Sequence, residues 1–261
     1  SKRMHEPLAE ALADRGNRVI TLDLLGHGDS DRPRDMWKYS IPKFAEQTVA
    51  LLDHLGIDEA VVGGTSLGAN TTLEVADRAP ERLRGMWIEM PALDNALLAC
   101  AVAFTPLTLA LTFGESAMSL LATGLRRIPS AIVPFWPDVL LDTMRQEPGP
   151  SGAMMQGVLF GRVAPSRSKY SSMNVPALVF GHHRDPIHPF SDAGMLADEL
   201  PDVRFLEANS AVELRVKPGR LTDEIADFVD ECWKPKRVKP KATKPRARKA
   251  AATSKRAAAR A

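Results

Sequence analysis

A chain of 261 residues with 44% apolar content is long enough to bury one large α/β core. Its two cysteines, Cys100 and Cys232, lie far apart and suit no metal spacing, which excludes a disulfide-built scaffold and a cysteine-rich metal domain. The net charge of +2 conceals an asymmetry: residues 234–261 hold 12 Lys/Arg and no acid, so the rest, with 22 basic and 32 acidic side chains, is an acidic body of net −10.

In chain order, residues 2–15 read as an amphipathic helix with Met4, Leu8, Ala11 and Leu12 on one stripe, ended by Gly16-Asn17. Its opening carries no apolar run, so a signal peptide is not expected, and the cysteine usage fits a cytoplasmic chain. Residues 18–24 (Arg18-Val19-Ile20-Thr21-Leu22-Asp23-Leu24) predict a buried strand, and Leu25 to Pro33 a glycine- and aspartate-rich loop leaving it. Ser40 is placed as an N-cap ahead of Pro42, and the helix it opens runs to Leu55 before Gly56. A strand over Ala60–Thr65, a helix over Leu67–Ala79 and a strand over Arg84–Glu89 continue the alternation, which argues a parallel sheet.

At Pro91 the rhythm breaks. Residues 92–174 are apolar, helical in pattern and punctuated by prolines, and we read them as a helical cap over the sheet edge. Ala96 to Phe113 is free of charge and long enough at its lower limit to cross a membrane, but Pro106 sits in its middle and a soluble α/β pattern surrounds it. The sheet resumes over residues 175–181, followed by the loop His182 to Pro189, a helix over 190–200, a short strand over 203–206 and a last helix from Pro218 to Trp233. The domains expected are therefore 1–91 and 175–233 as two parts of one core, 92–174 as the cap, and 234–261 as a tail.

Chemistry concentrates at Gly64-Thr65-Ser66-Leu67-Gly68, a G-x-S-x-G between an apolar strand and a helix-forming run. In that context the serine stands on a tight, strained turn with its hydroxyl above the sheet edge. Small neighbours are expected two positions either side. The amide of Leu67 opens the next helix and faces the same space, ready to hold an oxyanion.

With these residues in view, the chain resembles the α/β-hydrolase family. The resemblance rests on Asp23 to Asp31 after one strand, the Ser66 turn after the next, the cap-like insertion, and Gly181 to Pro189 with Asp185. It implies a mostly parallel sheet of about eight strands, helices on both faces, and a pocket between cap and sheet. It matches Ser66 to the nucleophile and Asp185 to the acid that orients a histidine. A serine at this turn also argues against the epoxide hydrolase and haloalkane dehalogenase branches, which place aspartate there.

Two departures stand out. The family's histidine belongs in the loop after the last strand, where this chain has Ala211, and no histidine follows His188. The base is then His188, His183 or none, with the loop histidines lying at a pocket rim in the last case. His27 reads as a structural member of its Gly-His-Gly turn, and His5 and His54 as surface or packing residues. The resemblance also implies a His-Gly loop ahead of helix 2–15 and a strand between the residue 18–24 strand and the Ser66 strand, neither of which the sequence contains. Without that strand two central strands would have unpaired edges, and with no initiator methionine either, the expectation is a truncated chain or a diverged member whose sheet has rearranged.

The reading that follows is a serine hydrolase of an ester or other acyl substrate with an apolar group, with no metal or cofactor. The alternative is a catalytically impaired binding module of the same fold. The Lys/Pro/Ala-rich tail is expected to be disordered and to contact a polyanion, either nucleic acid or an anionic membrane.

Overall fold

The computed structural model describes residues 1–234; the tail from 235 onward, with the expectation of disorder placed on it, lies outside the described residues. Four strands, β1 (Ala60–Thr65), β2 (Leu83–Glu89), β3 (Ala177–Gly181) and β4 (Val203–Glu207), form one parallel sheet in the order β1-β2-β3-β4. Parallel strands need crossovers, and the helices supply them: α3 (Leu67–Arg78) joins β1 to β2 and α8 (Phe190–Glu199) joins β3 to β4.

Side-chain alternation along each strand feeds a core on either face. Met86, Ile88, Ala177 and Val179 pack with α3 and α8 residues such as Leu73, Val75 and Leu196. Trp87, Leu178 and Phe180 point the other way, onto Leu8 and Leu12 of α1 (Glu6–Asp14) and Leu221, Ile225 and Phe228 of α10 (Gly219–Trp233). Helix α2 (Ile41–His54) begins as its residues dictate: Ser40 Oγ accepts the Lys43 amide at 3.3 Å, and Pro42 sits in the first turn.

Between β2 and β3 the chain leaves the sheet as four helices, α4 (Leu97–Phe113), α5 (Glu115–Arg126), α6 (Phe135–Met144) and α7 (Pro148–Leu159). Two buried side chains hold this insertion to the core. Asn70 of α3 donates to Ala92 O (2.7 Å) and Val163 O (2.8 Å), binding the two ends of the insertion at one point. Asp192 of α8, fully buried, accepts the amides of Leu93, Asn95 and Ala96 and the Asn95 side chain at 2.7–3.1 Å. Those four donors offset the desolvation of a buried side chain that has no ion-pair partner among the described residues.

The strand expected over residues 18–24 does not form, and the sheet has four strands among the described residues rather than about eight. The amides of 18–24 take no main-chain partner among the described residues. A strand exists only through its neighbours, and none lies between this segment and β1. In the gap is a cavity of about 610 Å³, lined by Val19, Ile20, Leu22, Val61 and Gly63 and by side chains of α1, α2, α3 and α10. The result is legible in β1 itself, which is half-buried while β2 and β3 are almost wholly buried. Of the two unpaired edges anticipated, one is present, that of β1; residues 18–24 form no strand to carry the other.

The loop after residue 24 does hold the expected local structure. Asp23, buried, accepts the amides of Lys2 (2.6 Å) and Asp29 (3.0 Å). Gly28 stands at φ +47°, and a Cβ there would lie 1.9 Å from the Asp23 carboxylate. His27 Nδ1 lies 3.1 Å from Leu25 O and its ring packs edge-on to Phe44, the structural role expected of it.

His5 packs edge-on to Trp87, with ring centroids 5.8 Å apart. Burial, aided by the charge of Arg215, lowers its pKa from 6.5 to about 4. Between those values the unfolded chain binds a proton that the folded one refuses, so stability falls as pH drops through this window. The shift corresponds to about 3 kcal/mol. We expect His5→Phe to flatten the loss of thermal stability between neutral pH and pH ~4.5; an unchanged pH dependence would assign the acid sensitivity to other groups.

Candidate active site

The turn between β1 and α3 is strained as the sequence requires. Ser66 has φ 53° and ψ −110°, a left-handed conformation rare outside glycine. Its amide donates to Glu89 O at 2.9 Å, and its carbonyl accepts the Asn70 amide at 3.0 Å, so the turn is fastened to β2 on one side and to α3 on the other. A Cβ on Gly64 would stand 2.7–2.8 Å from the backbone of Gly68, which makes glycine obligatory at 64. The same test at Gly68 finds nothing within 4 Å, so the expectation of enforced smallness there is corrected: the crowding is one-sided.

His188 Nε2 lies 2.8 Å from Ser66 Oγ, and its Nδ1 lies 2.9 Å from Asp185 Oδ2. Asp185 Oδ1 in turn accepts the amides of Ile187 (2.8 Å) and His188 (2.9 Å). Acid and imidazole come from one loop, three residues apart, rather than from two. Burial pushes the Asp185 carboxyl upward, but the His188 and Ile187 amides and the His188 ring outweigh it and hold it below the usual range. An ionised carboxylate only accepts, so Nδ1 carries the imidazole proton and Nε2 is left to accept from the serine hydroxyl. The Leu67 amide, first in α3, takes no main-chain partner among the described residues and stands at the positive end of a 12-residue helix. The arrangement can move a proton from Ser66 Oγ to His188 and offers one amide to a developing negative charge.

The other histidines are placed elsewhere. His183 stacks on Phe190 (3.7 Å) and lies 3.4 Å from Glu207, with 59% of its side chain exposed. His182 Nδ1 accepts the Arg184 amide at 3.2 Å.

Sequence reading missed a second set of residues beneath the turn. Arg215, on the short helix α9 (Glu213–Val216), pairs with the buried Glu89 and donates to Thr65 Oγ1 at 2.7 Å, while Thr65 Oγ1 also bonds Glu89. Met90, next to Glu89, shares the left-handed conformation at φ 49°. The only signal was an acid at the end of a strand, too common to single out.

The expected pocket also differs. The cavity of about 610 Å³ lies beside β1 and reaches Gly64 and Gly68 of the turn, but neither Ser66 nor His188 lines it. Its position follows from the open edge of β1.

Comparison with known proteins agrees with this architecture. The profile of a family described as alpha/beta hydrolase fold matches residues 1–113. The enol-lactonase from Burkholderia xenovorans LB400 superposes with a TM-score of 0.64 over 87% of this chain and 86% of its own, at 21% identity. The chain is an α/β-hydrolase-fold protein. In sequence, this hydrolase-fold chain is 45% identical over 67 residues to 2-hydroxymuconate semialdehyde hydrolase of Pseudomonas putida, a match covering 26% of the chain and 24% of that relative. It is 28% identical over 221 residues to RutD of Azorhizobium caulinodans, which carries a provisional carbamate hydrolase name; that match covers 78% of the chain and 76% of RutD. The chain thus spans about a quarter of the first relative and about three quarters of the second.

Proposed function

We propose that the protein is a serine hydrolase acting on an ester or related acyl substrate with an apolar group. The observation that carries this reading is the unbroken hydrogen-bonded chain from Ser66 through His188 to Asp185. Ser66 Oγ attacks the substrate carbonyl as its proton passes to His188 Nε2. Asp185 stabilises the imidazolium that results, and the Leu67 amide holds the oxyanion. The leaving alcohol takes the proton from His188, which leaves an ester on Ser66. A water then attacks the acyl carbon, giving its proton to His188; the bond to Ser66 Oγ breaks, Oγ takes that proton back, and the acid departs.

The relatives' names support the class: an enol-lactonase and a semialdehyde hydrolase both belong to hydrolytic chemistry. The apolar four-helix insertion held over the sheet end would act as the cap and supports an apolar acyl or alcohol group.

Incubation of the full chain with a fluorophosphonate probe is expected to label Ser66, read by mass spectrometry of the tryptic peptide, and Ser66→Ala is expected to remain unlabelled. A folded protein that takes no label at Ser66 would remove this reading and favour a binding module of the same fold.

A further inference from the structure

Helix α4 has an unusual relation to water. Its 17 residues, Leu97–Phe113, include no charged side chain on any face. A helix apolar all round is normally enclosed. Here only 17% of its most apolar window is buried. One face, through Thr108 and Leu111, packs inward, and α7 is its main neighbour. On the opposite face Leu98 (76% exposed), Val102 (69%), Leu109 (51%) and Phe113 (83%) recur at intervals of four, seven and four residues, which places them in a single stripe. The stripe runs about 22 Å along the helix at 1.5 Å per residue. Leu120 of the adjoining α5 is also 76% exposed, and α5 ends in the exposed pair Arg126-Arg127.

We propose that this stripe docks on an anionic lipid bilayer, with α4 lying in the interface and residues 234–261 adding electrostatic attraction. The proposal is independent of the hydrolytic reading. Charge selects this occupant. A nucleic acid would take the 12 Lys/Arg of residues 234–261 but offers nothing to an uncharged apolar stripe. A bilayer with acidic headgroups accepts both parts: acyl chains for Leu98, Val102, Leu109 and Phe113, and phosphates for Arg126, Arg127 and the 12 Lys/Arg of the C-terminal segment. Stable attachment generally takes two such signals together, one apolar and one polybasic. The 28 residues of that segment can reach at most ~95 Å, enough to meet a surface on which the insertion rests. Spanning is not implied, because Asn70 and Asp192 hold the insertion against the sheet.

The test is vesicle flotation with the full chain, comparing vesicles of equal parts phosphatidylcholine and phosphatidylglycerol with pure phosphatidylcholine. Binding is expected to the anionic vesicles and to weaken with salt. The combined variant Leu98→Glu, Val102→Glu and Phe113→Glu is expected to bind roughly tenfold more weakly or worse. These side chains are mostly in solvent, so an unchanged melting temperature is the expected fold control. Deletion after Lys234 is expected to remove the preference for anionic vesicles. The proposal is overturned if the triple variant floats as well as the parent. It is also overturned if no vesicle binds while the parent runs as a dimer that the triple variant makes monomeric. Tail-dependent binding to duplex DNA without any vesicle binding overturns it equally.

Discussion

Exchanging His188 for alanine is expected to lower turnover of a p-nitrophenyl ester by roughly 10⁴–10⁶-fold with little change in melting temperature. The expectation follows from geometry. His188 is the imidazole within 2.8 Å of Ser66 Oγ, and a serine hydroxyl without a base is a poor nucleophile. Folding should tolerate the change, because Asp185 keeps the amides of Ile187 and His188 when the ring is gone. His183→Ala, which removes a ring stacked on Phe190, is expected to leave turnover nearly intact. Histidine placed at Ala211 should bring no gain, since the position beside Ser66 is already filled. The reverse outcome, with His183→Ala inactive and His188→Ala active, would require a different loop conformation from the one described.

The second large effect is expected on stability. Arg215→Met leaves the Glu89 carboxylate buried without its cation, and breaking a buried pair from one side typically costs ~3–5 kcal/mol. At this size each kcal/mol shifts the melting temperature by about 2–4 °C, so a fall of roughly 6–20 °C is expected in a thermal melt. Adding Glu89→Gln to Arg215→Met should recover a large part of the loss, because a neutral amide needs no cation. Equal stability of the single and double variants would mean that solvent reaches Glu89. Because the Ser66 amide is bonded to the Glu89 carbonyl and Thr65 is bonded to Arg215, the single variant should also slow fluorophosphonate labelling.

How far these features can be read from residues depends on how local they are. The strained turn at Ser66 is specified within five residues, because Gly64 must pass the Gly68 backbone. The Asp185–His188 pair is likewise local: Asp185 folds its own loop by accepting two amides two and three residues on, which brings the ring to its other oxygen. Helix α2 carries its Ser40 cap openly, and α2 and α10 both carry their apolar stripes openly. Residues 18–24 have as good a strand pattern as β1, yet a strand needs a neighbour to receive its hydrogen bonds, and a pattern cannot supply one.

By itself, then, the sequence determined a parallel α/β architecture, a helical insertion after Glu89, and a serine held on a tight turn, because each follows from local periodicity or local sterics. Only the tertiary structure decided which histidine faces that serine, which cation meets Glu89, and that the edge of β1 stays open. Ser66 and His188 are 122 residues apart and Glu89 and Arg215 are 126 apart. They meet because β1, β2, β3 and β4 lie parallel and side by side, so that the segments leaving their ends converge at one edge of the sheet.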